Sequence, residues 1–114
     1  MKHIVKKITK IADEIMTFLL INDSDELDFK IKKANDRYIV KIISYKTKFS
    51  DDDVLELDEI LNVQRQHEVE AYYWQLAGET DFDNELLLIG SMIDEAKVYK
   101  TDNNLYIEFF RIND

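Results

Sequence analysis

Apolar residues recur at two different spacings along this chain, and the changes between them divide it into helices and strands. Over residues 3–20 the large aliphatic side chains stand three or four positions apart, which is the spacing of an amphipathic helix. These side chains are Ile4, Ile8, Ile11, Ile15 and Leu19. The pattern predicts a first helix that buries one face.

An alternating pattern follows and predicts a β-hairpin. Apolar and charged residues alternate over residues 27–32, which is typical of a half-buried strand. The apolar set is Leu27, Phe29 and Ile31. Residues 34–37 predict the turn, because Asn and Asp tolerate turn geometry. Lys41 marks the outer face of the return strand, residues 38–45, so the opposite face should meet the core. That face carries Tyr38, Val40 and Ile42.

A long central helix is predicted over residues 51–77. Ser50 and Asp53 form a capping-box pattern at its start. Apolar residues then recur at helical spacing at Val54, Leu57, Ile60 and Leu61. A helix of this length would span about 40 Å, which is long for so small a domain. We therefore expect a break near residues 64–67, and Gly78 is placed to end the helix.

The last third of the chain predicts another helix and a closing hairpin. A helical stripe runs through Phe82, Leu86, Ile89, Ile93 and Ala96. Gly90 lies inside this stripe, where it costs about 1 kcal/mol relative to Ala, so close packing is expected there. Strands are predicted over residues 97–100 and 105–112. This closing hairpin carries large apolar residues on both faces, which predicts that it lies centrally in the sheet or has a covered outer side.

These elements predict a single domain, residues 1–114, of the α+β class. Their order is α-ββ-α-α-ββ. We expect a two-layer sandwich in which about three helices pack on one face of a four-stranded sheet.

The end of the central helix is the one candidate functional surface that the sequence indicates. Its three consecutive aromatic residues are Tyr72, Tyr73 and Trp74. Together with the apolar residues beside them they make the last turns apolar nearly all round, and such a helix is usually covered on more than one side. Tyr and Trp favour interfaces, so this segment is a hypothesis for dimerisation or for docking another protein. The alternative is a helix end whose tyrosines lie half exposed.

Charge and composition exclude several functions. The net charge of −9 repels phosphate backbones, so we expect no nucleic-acid partner. The chain has no Cys, which excludes disulfides and thiolate chemistry. It has no apolar run long enough for a signal peptide or a membrane span, so we expect a cytoplasmic protein. A basic first helix with Lys2, Lys6, Lys7 and Lys10 leaves association with anionic lipid as an alternative.

The order of elements resembles the ATP-binding domain shared by sensor histidine kinases, bacterial anti-sigma kinases, gyrase and Hsp90. Residues 85–93, 96–99 and 105–109 look like the last helix and the two closing strands of that family. The resemblance implies a magnesium-binding Asn four residues after an acid in the first helix. Here Phe18 follows Glu14 and Thr17 follows Asp13 at that spacing.

The family's adenine-contacting Asp-x-Gly-x-Gly loop is also missing, since residues 44–48 contain neither Asp nor Gly. The resemblance therefore implies a degenerate member that has lost ATP binding, and it assigns no site residues. We expect a non-enzymatic interaction or regulatory domain with no cofactor and no metal. A nucleotide-binding or phosphotransfer domain with a non-standard site is the alternative.

Overall fold

A computed structural model describes residues 2–62, 89–90 and 92–112 of the chain. The elements in these ranges are α1 (Lys2–Asn22), β1 (Leu27–Lys33), β2 (Arg37–Ser44), α2 (Asp51–Leu61), β3 (Glu95–Thr101) and β4 (Asn104–Ile112). The α+β class and the four-stranded sheet are thus confirmed for the described residues. The full predicted order, with its three helices, stays a prediction because most of residues 80–96 lies outside these ranges.

The four strands form an open antiparallel sheet in the order β1-β2-β4-β3. β4 is therefore a central strand, as expected for the closing hairpin. The other strand of that hairpin, β3, lies at the edge of the sheet, so the predicted central position is wrong for β3. One face of the sheet packs against α1 and α2 and forms the hydrophobic core. The expected stripe of α1 is buried in this core, and so are the residues predicted for the inner face of β2: Tyr38, Val40 and Ile42.

β1 differs from its prediction because its apolar residues are not covered. Phe29 and Ile31 lie on the helix-facing side of the sheet, opposite Ile42 and Val40, yet Phe29 is 54% exposed and Ile31 36% exposed. Among the described elements, α1 packs on β2 and α2 on β3. The prediction of a half-buried strand is wrong beyond Leu27, since β1 is an edge strand whose other residues are exposed.

α2 begins as the sequence predicts. Ser50 Oγ accepts a hydrogen bond from Asp53 N (3.1 Å), and Asp53 Oδ2 accepts one from Ser50 N (2.9 Å). The hydrogen bonds from Ser50 lower the pKa of the Asp53 carboxyl. This capping box satisfies amide groups that the first turn of a helix leaves without partners.

α2 ends earlier than predicted, at Leu61, and Asn62 leaves the helical conformation (φ −112°, ψ 19°). The Asn62 carboxamide accepts a hydrogen bond from Ala96 N (2.8 Å) and donates one to Ala96 O (2.9 Å). Asp58 Oδ1 accepts from Val98 N (3.3 Å). These side chains meet the outer edge of β3. The helix that begins at Asp51 is therefore interrupted at Asn62, two residues before the range in which a break is expected. The predicted break at residues 64–67 falls outside the described residues.

Replacing Asn62 with alanine should lower the free energy of unfolding by about 1–2 kcal/mol, because Ala96 loses both partners at the sheet edge. Urea denaturation measures this change. Asn22→Ala is the matched control, since that Asn ends α1 and its side chain donates to Phe18 O in its own helix (3.0 Å). Equal effects of the two substitutions would contradict the contact between Asn62 and β3.

The turn before β3 also corrects the predicted last helix. Ile89 and Gly90 are helical, but Met92 N bonds to Ile89 O (2.9 Å) and Ile93 N to Gly90 O (3.2 Å), which closes a tight turn. Ala96 then lies in β3, opposite Phe109. A helix that continues to Ala96 is therefore wrong. The expected close packing at Gly90 is confirmed, because an added Cβ would lie 2.0 Å from Ile60 O.

Candidate interaction surface

The sheet face that points away from α1 and α2 carries large apolar side chains. Paired residues of the ladder place them side by side on β2, β4 and β3. They are Ile39, Ile43, Tyr99, Tyr106, Phe110 and Ile112. An antiparallel sheet with one solvated face usually has polar residues there. We call this surface the open face, and its apolar content is what a partner surface requires.

The aromatic rings of the open face are already engaged with neighbouring side chains. The rings of Tyr99 and Tyr106 stack nearly parallel, with centroids 5.1 Å apart. The Arg37 guanidinium lies 4.4 Å from the centre of the Phe110 ring. Asp36 holds the same guanidinium through two hydrogen bonds of 3.1 Å, which lower the pKa of Asp36 and raise that of Arg37. The rings therefore form a pre-ordered surface.

The charges on the open face are mainly positive, although the whole chain carries −9. One row of ladder partners crosses all four strands as Lys30, Lys41, Glu108 and Lys97. A depression at the β1 side of this row is lined by Lys30, Lys32, Ile39, Lys41 and Glu108. Three lysines around one depression favour a carboxylate-bearing partner.

Asp28 stands beside this basic row on β1. Its Oδ2 accepts a hydrogen bond from the Tyr45 hydroxyl (2.5 Å). This bond to a carboxylate favours the protonated phenol and raises the pKa of Tyr45. This hydrogen bond holds the Asp28 carboxylate near the start of β1, where its negative charge is accessible to a partner molecule.

The outer edge of β1 carries backbone groups without partners among the described residues. Tyr45 N bonds to Glu26 O (3.1 Å) and Ala34 N to Arg37 O (2.8 Å). These two bonds show which backbone groups of β1 pair with β2. The N–H and C=O groups of its even-numbered residues point towards β2, and those of its odd-numbered residues point outward. The outward amides and carbonyls belong to Leu27, Phe29, Ile31 and Lys33. The β3 edge differs, since Asn62 and Asp58 meet it.

A buried polar centre lies at the end of α1 and has a structural role. The Asp23 carboxylate accepts hydrogen bonds from Ser44 Oγ (2.7 Å), Thr47 Oγ1 (2.8 Å) and Lys48 N (2.6 Å). It ties the end of α1 to the segment that links β2 to α2. Sequence reasoning missed this role, because Asp23 stands in an acidic turn that no periodicity distinguishes.

The surface predicted from sequence, Tyr72, Tyr73 and Trp74, lies outside the described residues. In the ranges that are described, no group of three or more His, Asp or Glu side chains could hold a metal ion. No described helix is long and apolar enough to cross a membrane. Of the basic residues of α1, Lys10 Nζ lies 2.7 Å from Glu14 Oε1 and 3.8 Å from Asp13 Oδ2, so part of its charge is neutralised.

No protein-family model matches the chain, and no curated protein or solved structure is detectably similar to it. The resemblance to the ATP-binding domain of histidine kinases and gyrase stays a prediction. The function is therefore inferred from the surfaces described above.

Proposed function

We propose that this chain is a non-enzymatic protein-interaction domain that receives an acidic protein on the open face of its sheet. The observation that carries the proposal is the combination on one sheet face of large apolar side chains with a basic row. Apolar area supplies the affinity of such a contact, and the lysines select partners of opposite charge and speed their approach.

The arrangement of the rings favours a protein partner over a nucleic acid. A base would need the free face of an aromatic ring, as in single-strand binding sheets. Tyr99 and Tyr106 stack on each other, and Arg37 covers one face of Phe110, so each of these rings has only one of its two faces left for a base. Glu108 interrupts the basic row, Glu95 lies near it on β3, and the net charge of −9 opposes phosphate at long range.

The partner can be trapped by a photo-crosslinking amino acid placed at Tyr106, in cells that produce the protein. We expect a discrete crosslinked protein that resists nuclease. Reversing the basic row with Lys41→Glu and Lys97→Glu should reduce its yield by at least about tenfold, because two attractive charges become repulsive. Both lysines are exposed, but each lies opposite Glu108 in the ladder, so the double variant is expected to lose some stability. A thermal melt must therefore show that it is folded at the temperature of the crosslinking experiment.

The same crosslinker at Leu20, an exposed residue of α1, is the matched control and should trap no discrete partner. Equal trapping at both positions would contradict a role for the open face. If only the crosslinker at Tyr106 gave products, and these products were sensitive to nuclease, the partner would be a nucleic acid and the proposal of a protein partner would be wrong. A clear rise in melting temperature with ATP and magnesium would favour the nucleotide-binding alternative.

A further inference from the structure

The charges and apolar residues of β1 are arranged symmetrically about Phe29, with opposite charges at equal distances. All acids of the segment precede Phe29 and all its lysines follow. Residues equidistant from Phe29 form the combinations Asp28 with Lys30, Leu27 with Ile31, Glu26 with Lys32, and Asp25 with Lys33. A strand of this kind is complementary to a second copy of itself running in the opposite direction.

We propose that two copies of this chain pair through their β1 edges, antiparallel, with the two-fold axis at Phe29. Each sheet then continues into the other and forms one eight-stranded sheet. The contact is isologous, since each residue meets its counterpart in the symmetric position. It removes the open β1 edge, whose backbone groups would otherwise invite unspecific pairing.

The backbone N–H and C=O groups on the outer edge of β1 are positioned as this dimer requires. The outward-facing amides and carbonyls belong to odd-numbered residues, as the ladder with β2 requires. With the axis at Phe29, odd-numbered residues of one copy lie opposite odd-numbered residues of the other. Phe29 then exchanges two hydrogen bonds with Phe29 of the second copy, and Leu27 does so with Ile31 of the second copy.

The side chains of β1 are complementary on both faces of the joined sheet. On the helix-facing side, Phe29 and Ile31 are exposed in the single chain and meet apolar residues of the second copy. On the open face, Lys30 lies directly opposite Lys41 in the single chain, an unfavourable like-charge pair. The second copy places Asp28 on the other side of Lys30, which relieves this repulsion, and Glu26 beside Lys32.

The charges also select this register over its neighbours. Sliding one copy by two residues in one direction puts Lys30 opposite Lys30 of the second copy. Sliding it in the other direction puts Asp28 opposite Asp28. Like charges directly opposite each other destabilise a ladder, so only the register centred on Phe29 pairs every charged residue of the strand with an opposite charge.

Charge reversal at one pair tests the proposal. Sedimentation equilibrium from about 1 μM to about 1 mM should give a mass approaching twice the 13.6 kDa of one chain. Glu26→Lys and Lys32→Glu should each weaken dimerisation by about 10- to 100-fold, because each makes two like-charged pairs per dimer. An equimolar mixture of the two variants should recover a heterodimer, since every pair at positions 26 and 32 is then oppositely charged.

Recovery of the dimer in the mixture cannot arise from misfolding of either variant. The test is therefore independent of any effect of the substitutions on the stability of the fold. Hydrogen exchange supplies a second readout: amides of Phe29 and Ile31 should become protected as concentration rises, whereas those of Lys30 and Lys32 are protected throughout. A monomer over the whole range would overturn the proposal. So would a dimer that ignores both reversals and dissociates instead on Tyr73→Ala or Trp74→Ala.

Discussion

Replacing Gly90 with alanine is expected to lower the free energy of unfolding by about 3 kcal/mol. The added Cβ would lie 2.0 Å from Ile60 O, 3.1 Å from Ile60 C and 3.3 Å from Leu61 Cα. All three are backbone atoms of the last turn of α2, so no side-chain rotation relieves the overlap. That turn is itself held, because Asn62 bonds to Ala96 at both its N and its O.

Two effects of this substitution oppose each other, and their magnitudes decide the outcome. Alanine is favoured over glycine in a helix by about 1 kcal/mol. Overpacking costs about 1–3 kcal/mol and more when backbone must move, and a contact of 2.0 Å belongs at the upper end. Denaturant titration should therefore show a clear loss. Thr17→Ala, at an exposed site on α1, should change stability by less than about 0.5 kcal/mol.

A Gly90→Ala variant as stable as the unaltered chain, or more stable, would contradict the close approach of this residue to α2. In that case the helix propensity alone would account for the result. The substitution thus tests the packing of residues 89–90 against α2 through the sign of the change in the free energy of unfolding. That sign is easier to measure than a small difference in magnitude.

Local rules predict those parts of this fold that depend on a few neighbouring residues. The capping box at Ser50 needs only Ser50 and Asp53, and both of its hydrogen bonds form. The last hairpin turns on Asp102 and Asn103, which both adopt positive φ (52° and 65°), and such residues tolerate this conformation well. The apolar residues on both faces of the closing hairpin predict a central position, which β4 has and the edge strand β3 does not.

Properties that depend on distant segments could not be predicted. The alternation in β1 gives the same pattern whether or not a helix covers the strand, so the exposure of Phe29 is visible only in the fold. Ile93 and Ala96 are three residues apart, which suits a helical stripe as well as it suits a turn followed by a strand. The candidate surface depends on sheet order too, because its apolar residues come from three strands that only the ladder brings together.

Replacing Asp23 with alanine is the second large effect that we expect, a loss of about 3 kcal/mol in the free energy of unfolding. The carboxylate is almost fully buried and accepts from two hydroxyls and one amide. Alanine leaves the Lys48 amide and the fully buried Ser44 hydroxyl without their acceptor. A donor left in that state costs about 1–3 kcal/mol, so the two together approach the expected loss.

A melting temperature lower by on the order of 12 °C would correspond to this loss in a domain of this size. Asp25→Ala is the matched control at about 1 μM, where the chain is expected to be monomeric, because that neighbouring acid is exposed in the single chain and should change its stability little. Asp23→Asn should fall between the two, since its amide keeps one acceptor oxygen but turns the other into a donor. If Asp23→Ala melts with the control, the link between the end of α1 and the segment after β2 does not stabilise the fold.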